Sequence, residues 1–324
     1  MRNWAFDVGL LSQYKSSLKV IVVGNLSTGG TGKTPFTEFL IEKLKERNLA
    51  ILSRGYGRKT SGFILATSDD SAQTIGDEPL QMFRRYKNNV TVAVAEKRAE
   101  GLKALEQLDK EIDLVIMDDA FQHRYAQRNL NVLLTSFDAL FTEDFMLPTG
   151  NLREPKVGAK RADVVVVTKC PLTISETEKS KISKCIGKYI AQEHIFYSTI
   201  QYQPANAFNG VSPCVDGKPM YLLTGIANPN PMINHIGKTS ILAHFKYPDH
   251  HAFSLSDLDE LLVKVSENLA PVMTTEKDMV RLLEFSDHEI FKKAPFYYLP
   301  ISFKIDREKD FLNKVMMSVI GVKS

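Results

Sequence analysis

The stretch STGGTGKTPFTEFL, Ser27 to Leu40, brings three glycines, a lysine and a threonine into one short turn. It nearly fits the pattern G-x-x-x-x-G-K-[ST], with Ser27 standing in the place of the first glycine. Gly29, Gly30 and Gly32 still allow the backbone to turn its amides inward around an anion. Ser27, Thr28, Gly29, Gly30, Thr31 and Gly32 thus read as a cradle for a phosphate chain. Lys33 reaches the β and γ phosphates, Thr34 holds Mg²⁺ through its hydroxyl, and the helix that starts there adds the positive end of its dipole. Pro35 suits a first helical turn, where the missing N–H has no intrahelical partner to lose. A chance glycine-rich turn would lack the order strand, loop, Gly-Lys-Thr, helix.

A second group of residues supplies acid. IDLVIMDDAFQH, Ile112 to His123, is an apolar strand ending in Asp118 and Asp119. Two carboxylates at the carboxyl end of a buried strand are costly unless a cation or donors await them. One of the pair supports Mg²⁺, and the other orients its waters or the lysine; the spacing does not say which. Cradle and acid pair make a nucleoside triphosphate site without stating its purpose, since switches, metal-insertion ATPases and kinases share them. IGDEP, Ile75 to Pro79, sets Asp77 and Glu78 before a proline and the apolar Leu80, Phe83 and Tyr86. This is either simple helix capping or a general base for an alcohol attacking a γ-phosphate. YPDHHAFS, Tyr247 to Ser254, offers Asp249, His250 and His251 in a turn. A structural histidine is the ordinary reading there; a cluster facing a cleft between lobes would instead tune Asp77 or share its proton.

The elements that must position these groups are legible as apolar runs: Val20 to Val23, Ala50 to Ser53, Val90 to Ala95, Leu114 to Met117, Val132 to Leu134 and Val164 to Val167. They alternate with helical patterns and are continuous rather than alternating polar and apolar, as strands buried on both faces should be. The expected fold is α/β: a P-loop NTPase-like, mostly parallel sheet sandwiched by helices, with a second, smaller α/β lobe. From Pro204 to Pro219 the sequence loosens into Asn, Gly, Ser and Pro, then resumes with Met220 to Thr224 as a strand, Pro231 to Gly237 and Ser254 to Leu269 as helices, and Val272 to Thr274 and Tyr297 to Phe303 as strands. The expected divisions are therefore 1–203 for the kinase-like core, 204–219 for a linker or β ribbon, and 220–324 for the smaller lobe.

Composition narrows the function classes. The 324 residues carry 41 Lys and Arg against 38 Asp and Glu, a formal charge of +3 that does not suit a nucleic-acid binder. Arg153, Lys156, Lys160 and Arg161 form a local basic group able to meet a phosphate, although a solvated surface explains the lysines. The three cysteines, Cys170, Cys185 and Cys214, are scattered, so neither a disulfide framework nor a zinc site is expected, and a reducing, cytoplasmic setting is. No run approaches the roughly 20 apolar residues of a membrane span. Near the start, Trp4, Phe6, Val8, Leu10 and Leu11 lie close together; packing on the core is the default reading and contact with a membrane surface the alternative.

Seven segments in order, VVGNLSTGGTGKTP, LSRGYGR, GDEP, DDAFQHR, PTGNLREP, YPDHHAF and TTEKDMVRL, closely resemble the tetraacyldisaccharide 4'-kinases, the lipid A 4'-kinase family. The resemblance runs from about Arg2 to beyond Ile301. It implies an ATP- and Mg²⁺-dependent kinase that phosphorylates the 4'-hydroxyl of an acylated glucosamine disaccharide 1-phosphate to give lipid IVA, peripherally at the cytoplasmic face of the inner membrane, with no obligate protein partner. By the same match Lys33 and Thr34 are the phosphate lysine and magnesium threonine, and Asp118 and Asp119 the acid pair. Asp77 is the catalytic carboxylate working with His250, Glu78 is a metal-side residue, and Arg153 and Glu154 belong to a motif near nucleotide and metal. Two departures stand out. Ala120 replaces the family's usual glycine after the aspartates, which restricts the backbone if a positive φ is needed there. The chain also opens at Met1-Arg2-Asn3-Trp4, where relatives commonly carry a longer hydrophobic helix. Rival readings from the residues themselves are a nucleotide switch or metal-delivery ATPase, and a kinase of a soluble sugar.

Overall fold

The computed structural model describes residues 2–86, 89–108, 111–208, 217–249 and 251–320. Its strands, in chain order, are β1 Lys19–Asn25, β2 Leu49–Ser53, β3 Ile64–Leu65, β4 Val90–Val94, β5 Leu114–Met117, β6 Leu130–Ser136, β7 Val164–Thr168, β8 Ile195–Tyr202, β9 Asn206–Ala207, β10 Met220–Thr224, β11 Ile241–Lys246, β12 Val272–Thr275, β13 Phe296–Leu299 and β14 Ile301–Ile305. They form a nine-stranded sheet in the order β14-β8-β7-β6-β1-β5-β2-β4-β3, and a five-stranded sheet in the order β11-β10-β12-β13-β9.

The first sheet explains why its strands read as unbroken apolar runs. In β1, Val20 and Val22 join the core on one face, while Ile21 and Val23 join the core on the other. A strand buried on both faces has no polar side to alternate with. β1 pairs in parallel with β5 on one side, Val22 opposite Met117, and with β6 on the other, Val23 opposite Val132. The segments leaving the carboxyl ends of β1 and β5 are therefore neighbours, which sets the Gly-rich loop beside Asp118 and Asp119.

The chain divides into two compact units, Met1–Ile200 with Phe303–Ser324, and Gln201–Ser302. This corrects the expected boundary after Phe303, since the chain beyond that point returns to the first unit. Phe303, Ile305, Phe311, Val315 and Val319 bury themselves in the same core as Phe36 and Phe39, with Phe36 meeting Phe303 edge to face at 5.3 Å. The expected single strand Tyr297 to Phe303 is two strands of different sheets, divided at Pro300, which has no N–H to give a ladder. Of the expected 204–219 ribbon, Asn206–Ala207 is an antiparallel edge strand on Tyr297 and Tyr298, and residues 209–216 lie outside the described residues.

In the second unit, Tyr221 and Leu223 pack into one core and Met220 and Leu222 into another, on opposite faces of β10. Its longest helix, Leu255–Glu267, opens on a reciprocal Ser254–Asp257 capping box. Asp278 is fully buried and accepts hydrogen bonds from the Gly225 N–H at 2.9 Å, the Thr275 hydroxyl at 2.7 Å and Arg281 at 3.0 Å. Cys170 and Cys185 are free thiols, and Cys214 lies outside the described residues.

Candidate active site

The Gly-rich loop leaves β1 and enters the helix Lys33–Lys43. Gly29 at φ 100° and Gly32 at φ 80° occupy the left-handed region, where a side chain would be strained, so these two glycines are required by the backbone itself. Gly24, just before the loop, has a different constraint: a Cβ there would lie 2.7 Å from Cβ of Phe121. The strand end and the segment after the acid pair can approach only because position 24 carries no side chain.

The loop is held from outside. The Asn25 amide, wholly buried, donates to the Thr31 hydroxyl at 2.8 Å, and its Oδ1 accepts from Arg153. The Thr28 N–H donates to Asn151 O at 2.7 Å, and the Arg153 N–H to Leu26 O at 2.7 Å. Ser27 forms an antiparallel bridge with Leu152. On the other flank the Thr168 hydroxyl donates to Thr31 O at 2.7 Å, and Lys169 donates to the Gly30 carbonyl. With these carbonyls occupied by outside donors, the loop backbone is held from both flanks.

Asp118 and Asp119 have different surroundings. Asp118 is 4% exposed and its nearest donor is the Thr37 hydroxyl at 3.4 Å. Burial, then the negative charge of Glu78, hold its carboxyl well above the usual range, against the pull of Lys33. Such a group calls for a cation. Asp119 sits at φ 45° and accepts from Arg153 Nη2 at 3.0 Å and Nη1 at 3.2 Å, with Lys33 Nζ at 3.5 Å. Its burial works to raise the pKa, but Lys33 and Arg153 overrule it and bring the carboxyl down to about 2. The left-handed residue is thus Asp119 and not Ala120, which is fully buried and donates its N–H to Val23 O at 3.1 Å. An alanine is tolerated at 120 for that reason.

Asp77 and Glu78 open the helix Asp77–Tyr86. Met82 and Tyr86 of that helix share a core with Phe36, Phe39 and Leu40 of the loop helix, so Asp77 lies on the same face of the sheet as Lys33. Glu78 is near enough to Asp118 to be the leading charge that raises it. The structure therefore brings together the loop from Ser27 to Thr34, the acid pair, Arg153 and the start of the Gly-Asp-Glu-Pro helix.

Glu154 is corrected. Its carboxylate accepts from Arg161 Nη2 at 2.8 Å on both oxygens, from Gln122 Nε2 at 2.9 Å and from Asn3 Nδ2 at 3.2 Å. It is a buried anchor that spends its lone pairs on protein donors, rather than a metal ligand. His250 lies outside the described residues. His251 shares a 3.0 Å hydrogen bond with the Asp257 carboxylate of the capping box and stacks on Tyr247 at 4.4 Å. Trp4 is 61% exposed, while Phe6 is buried against Tyr125 at 4.9 Å, so packing accounts for only part of the apolar opening segment.

Residues that sequence reasoning passed over complete the site. Arg98 reads as a surface residue in EKRAEG, yet it is buried and donates to the carbonyls of Ala95 and Asp118, the latter at 3.1 Å. Burial lowers it to about 10, which leaves it charged at neutral pH. Gln122 donates to Asn25 O at 2.7 Å as well as to Glu154, linking loop and anchor. His123 is pushed down to about 4 by burial and by Arg98 and Arg54, and is neutral at pH 7. Polar residues closing apolar runs, Asn25 at the end of β1 and Thr168-Lys169 at the end of β7, were the available signal; nothing marked Arg98.

Among the described residues no three His, Cys, Asp or Glu side chains form a metal cluster on their own. The donor set of the Thr34 hydroxyl and the under-compensated Asp118 carboxylate suits Mg²⁺, which takes one or two protein oxygens and completes its shell with phosphate and water.

A family model described as tetraacyldisaccharide-1-P 4'-kinase matches residues 1–320. The chain is 40% identical over 323 residues to the tetraacyldisaccharide 4'-kinase of Flavobacterium psychrophilum, covering 98% of this chain and 91% of that one. It is 38% identical over 325 residues to the tetraacyldisaccharide 4'-kinase of Cytophaga hutchinsonii, covering 99% and 92%. The crystal structure of the "apo" form of LpxK from Aquifex aeolicus in complex with ATP is similar with a TM-score of 0.76 and 29% identity, covering 98% of this chain and 93% of that one. With the phosphate loop, the acid pair and the Gly-Asp-Glu-Pro helix gathered on one sheet, and matches spanning nearly the whole length, the chain belongs to the tetraacyldisaccharide-1-P 4'-kinase family.

Proposed function

We propose that this protein transfers the γ-phosphoryl group of ATP to the 4'-hydroxyl of an acylated glucosamine disaccharide 1-phosphate, giving lipid IVA. The observation that carries the reading is the neighbourhood of Lys33, Asp119 and Arg153 at the mouth of the glycine loop, with Glu78 close to Asp118 and Asp77 beginning the same helix turn. A nucleotide switch or a metal-delivery ATPase needs the loop and the acids but has no use for a further carboxylate beside them.

The loop amides from Gly29 to Thr34 take the phosphate oxygens, and Lys33 balances the charge that grows on the transferring group. Thr34 and Asp118 hold Mg²⁺, which when bound neutralises phosphate charge. Arg153 keeps Asp119 ionised and turned toward Lys33, so that Asp119 orients the lysine rather than competing for the metal. Asp77 accepts the proton of the 4'-hydroxyl while its oxygen forms the new bond to phosphorus and the bond to the ADP oxygen breaks.

Attachment is peripheral, at the cytoplasmic face of the inner membrane. No helix among the described residues is long and apolar enough to cross a membrane, and exposed Trp4, Val8 and Leu10 give the opening segment an apolar face that suits an acylated substrate. The test is to incubate the protein with γ-labelled ATP, Mg²⁺ and the acylated disaccharide 1-phosphate in detergent. Label entering the lipid fraction is the expected result. Label appearing only as inorganic phosphate, whether or not the glycolipid is present, would refute the reading.

A further inference from the structure

We propose that Glu38 is a positioning residue that fixes the register between the phosphate-loop helix and the helix carrying Asp77. The inference rests on the reading of Asp77 as the base. Glu38 is buried in the middle of the helix Lys33–Lys43, among Phe36, Phe39, Leu40 and Ile41. An apolar residue would be the ordinary occupant of such a place, because a buried carboxylate must recover its lost hydration through bonds. Glu38 makes them to the neighbouring helix: Oε1 accepts from Gln81 Nε2 at 3.2 Å, and Oε2 accepts from Arg85 Nη1 at 3.0 Å.

The spacing gives these bonds their consequence. Asp77, Gln81 and Arg85 are four residues apart and lie along one row of their helix; Thr34 and Glu38 are likewise four apart on theirs. Each side of the clamp thus has a chemistry-bearing residue one turn nearer the helix start, about 6 Å up the axis at 1.5 Å per residue. The loop helix follows β1, and the Asp77 helix precedes β4, which is parallel to β2 as β1 is to β5 and β5 to β2. Both helices accordingly start at the carboxyl edge of the sheet. Beside the clamp the two helices share an apolar core that includes Met82, Tyr86, Phe39 and Leu40, and the Tyr86 ring also comes close to Glu42. Apolar contact is non-directional and holds helices together without fixing how far one has slid along the other. A carboxylate caught between donors on two successive turns does fix it. Glu38 therefore sets the separation between the groups that hold ATP and the group that takes the acceptor's proton.

The test measures kcat and KM for ATP in E38A and E38Q, alone and in a D77N background, with thermal unfolding followed for each. E38A should lower kcat about 10- to 100-fold, the range expected when reacting groups are misplaced by about 1 Å. KM for ATP should stay within about threefold, since the loop itself is untouched. E38Q, the same shape without the charge, should fall between E38A and the parent, and it carries the test if E38A does not fold. In D77N, adding either Glu38 substitution should lower kcat no further. Equal fold-losses in both backgrounds, or a rise in KM for ATP matching the fall in kcat, would overturn the clamp. An inactive D77N together with fully active E38A and E38Q would overturn the clamp alone. A fully active D77N would overturn the base assignment and the inference with it.

Discussion

Replacing Arg153 by methionine removes one guanidinium from three parts of the site at once. Its Nε donates to Ser27 O at 3.2 Å, its Nη2 to Asn25 Oδ1, and both terminal nitrogens to the Asp119 carboxylate at 3.0 and 3.2 Å. These contacts differ in worth. The Asp119 side chain is 32% exposed, so water replaces much of what Arg153 gave it, and the loss there is about 0.5–1 kcal/mol. Asn25 is wholly buried, and leaving its carbonyl oxygen without a donor costs about 1–3 kcal/mol. The sum, about 1.5–4 kcal/mol, falls on the conformation of the loop and of Asp119, which sits at φ 45° and needs its partners to stay there. At 1.4 kcal/mol per tenfold, R153M should lower kcat/KM for ATP about 10- to 700-fold. R153K should recover only the Asp119 share, because an ammonium cannot reach three acceptors in divergent directions. Steady-state kinetics with saturating acceptor, beside a melting curve to show that the fold survives, make the measurement. A value of kcat/KM for R153M within about threefold of the parent would refute the assignment of Arg153 as the brace of the loop.

Asp77→Asn should reduce kcat by about 10²- to 10⁴-fold, the span of a lost general base, while equilibrium ATP binding stays within about threefold. Folding stability should fall between pH 6.5 and 4 in part through His123: its folded pKa, about 4, lies below the unfolded 6.5, so in that window the unfolded chain binds a proton that the folded one does not. The contribution is present in full above about 6.5 and is lost as pH drops to 4, worth about 1–2 kcal/mol once solvent contact is allowed for; urea titrations of H123Q should show a flatter pH dependence over that range. Asp278→Ala should destabilise the second unit by about 3–5 kcal/mol, because it strips a buried carboxylate from Arg281, Thr275 and the Gly225 amide. A fall in urea midpoint of less than about 1 kcal/mol equivalent would mean those bonds are dispensable.

What could be read from the chain, and what could not, follows from the range of the forces involved. The phosphate loop was legible because its chemistry is local: positive φ at Gly29 and Gly32 demands glycine, and Lys33 and Thr34 follow at fixed distances along one backbone. The parallel sheet was legible because burial on both faces leaves β1, β5, β6 and β7 without a polar side. The aromatic run of Ile195 to Tyr202 and the closing strand Ile301–Ile305 were not separated out, because only tertiary pairing tells which sheet a strand joins. Glu154 was misread for a related reason. The resemblance implies a metal-side role for it, whereas its carboxylate accepts from Arg161, Gln122 and Asn3, residues brought together from separate stretches of chain.

The same distinction sorts the acid pair. Adjacent and chemically identical, Asp118 and Asp119 are interchangeable on paper, and the backbone separates them. Asp118, whose N–H still donates to Leu52 O at 3.1 Å as the strand ends, stays buried with Glu78 close by. The left-handed turn at Asp119 swings the next carboxylate out to Lys33 and Arg153, where it already has its positive partners. Arg98, donating to the Asp118 carbonyl from within the core, holds the hinge between the two. One φ angle thus gives two identical residues different surroundings, and the alanine that follows them needs no glycine's freedom because the left-handed conformation falls one position earlier.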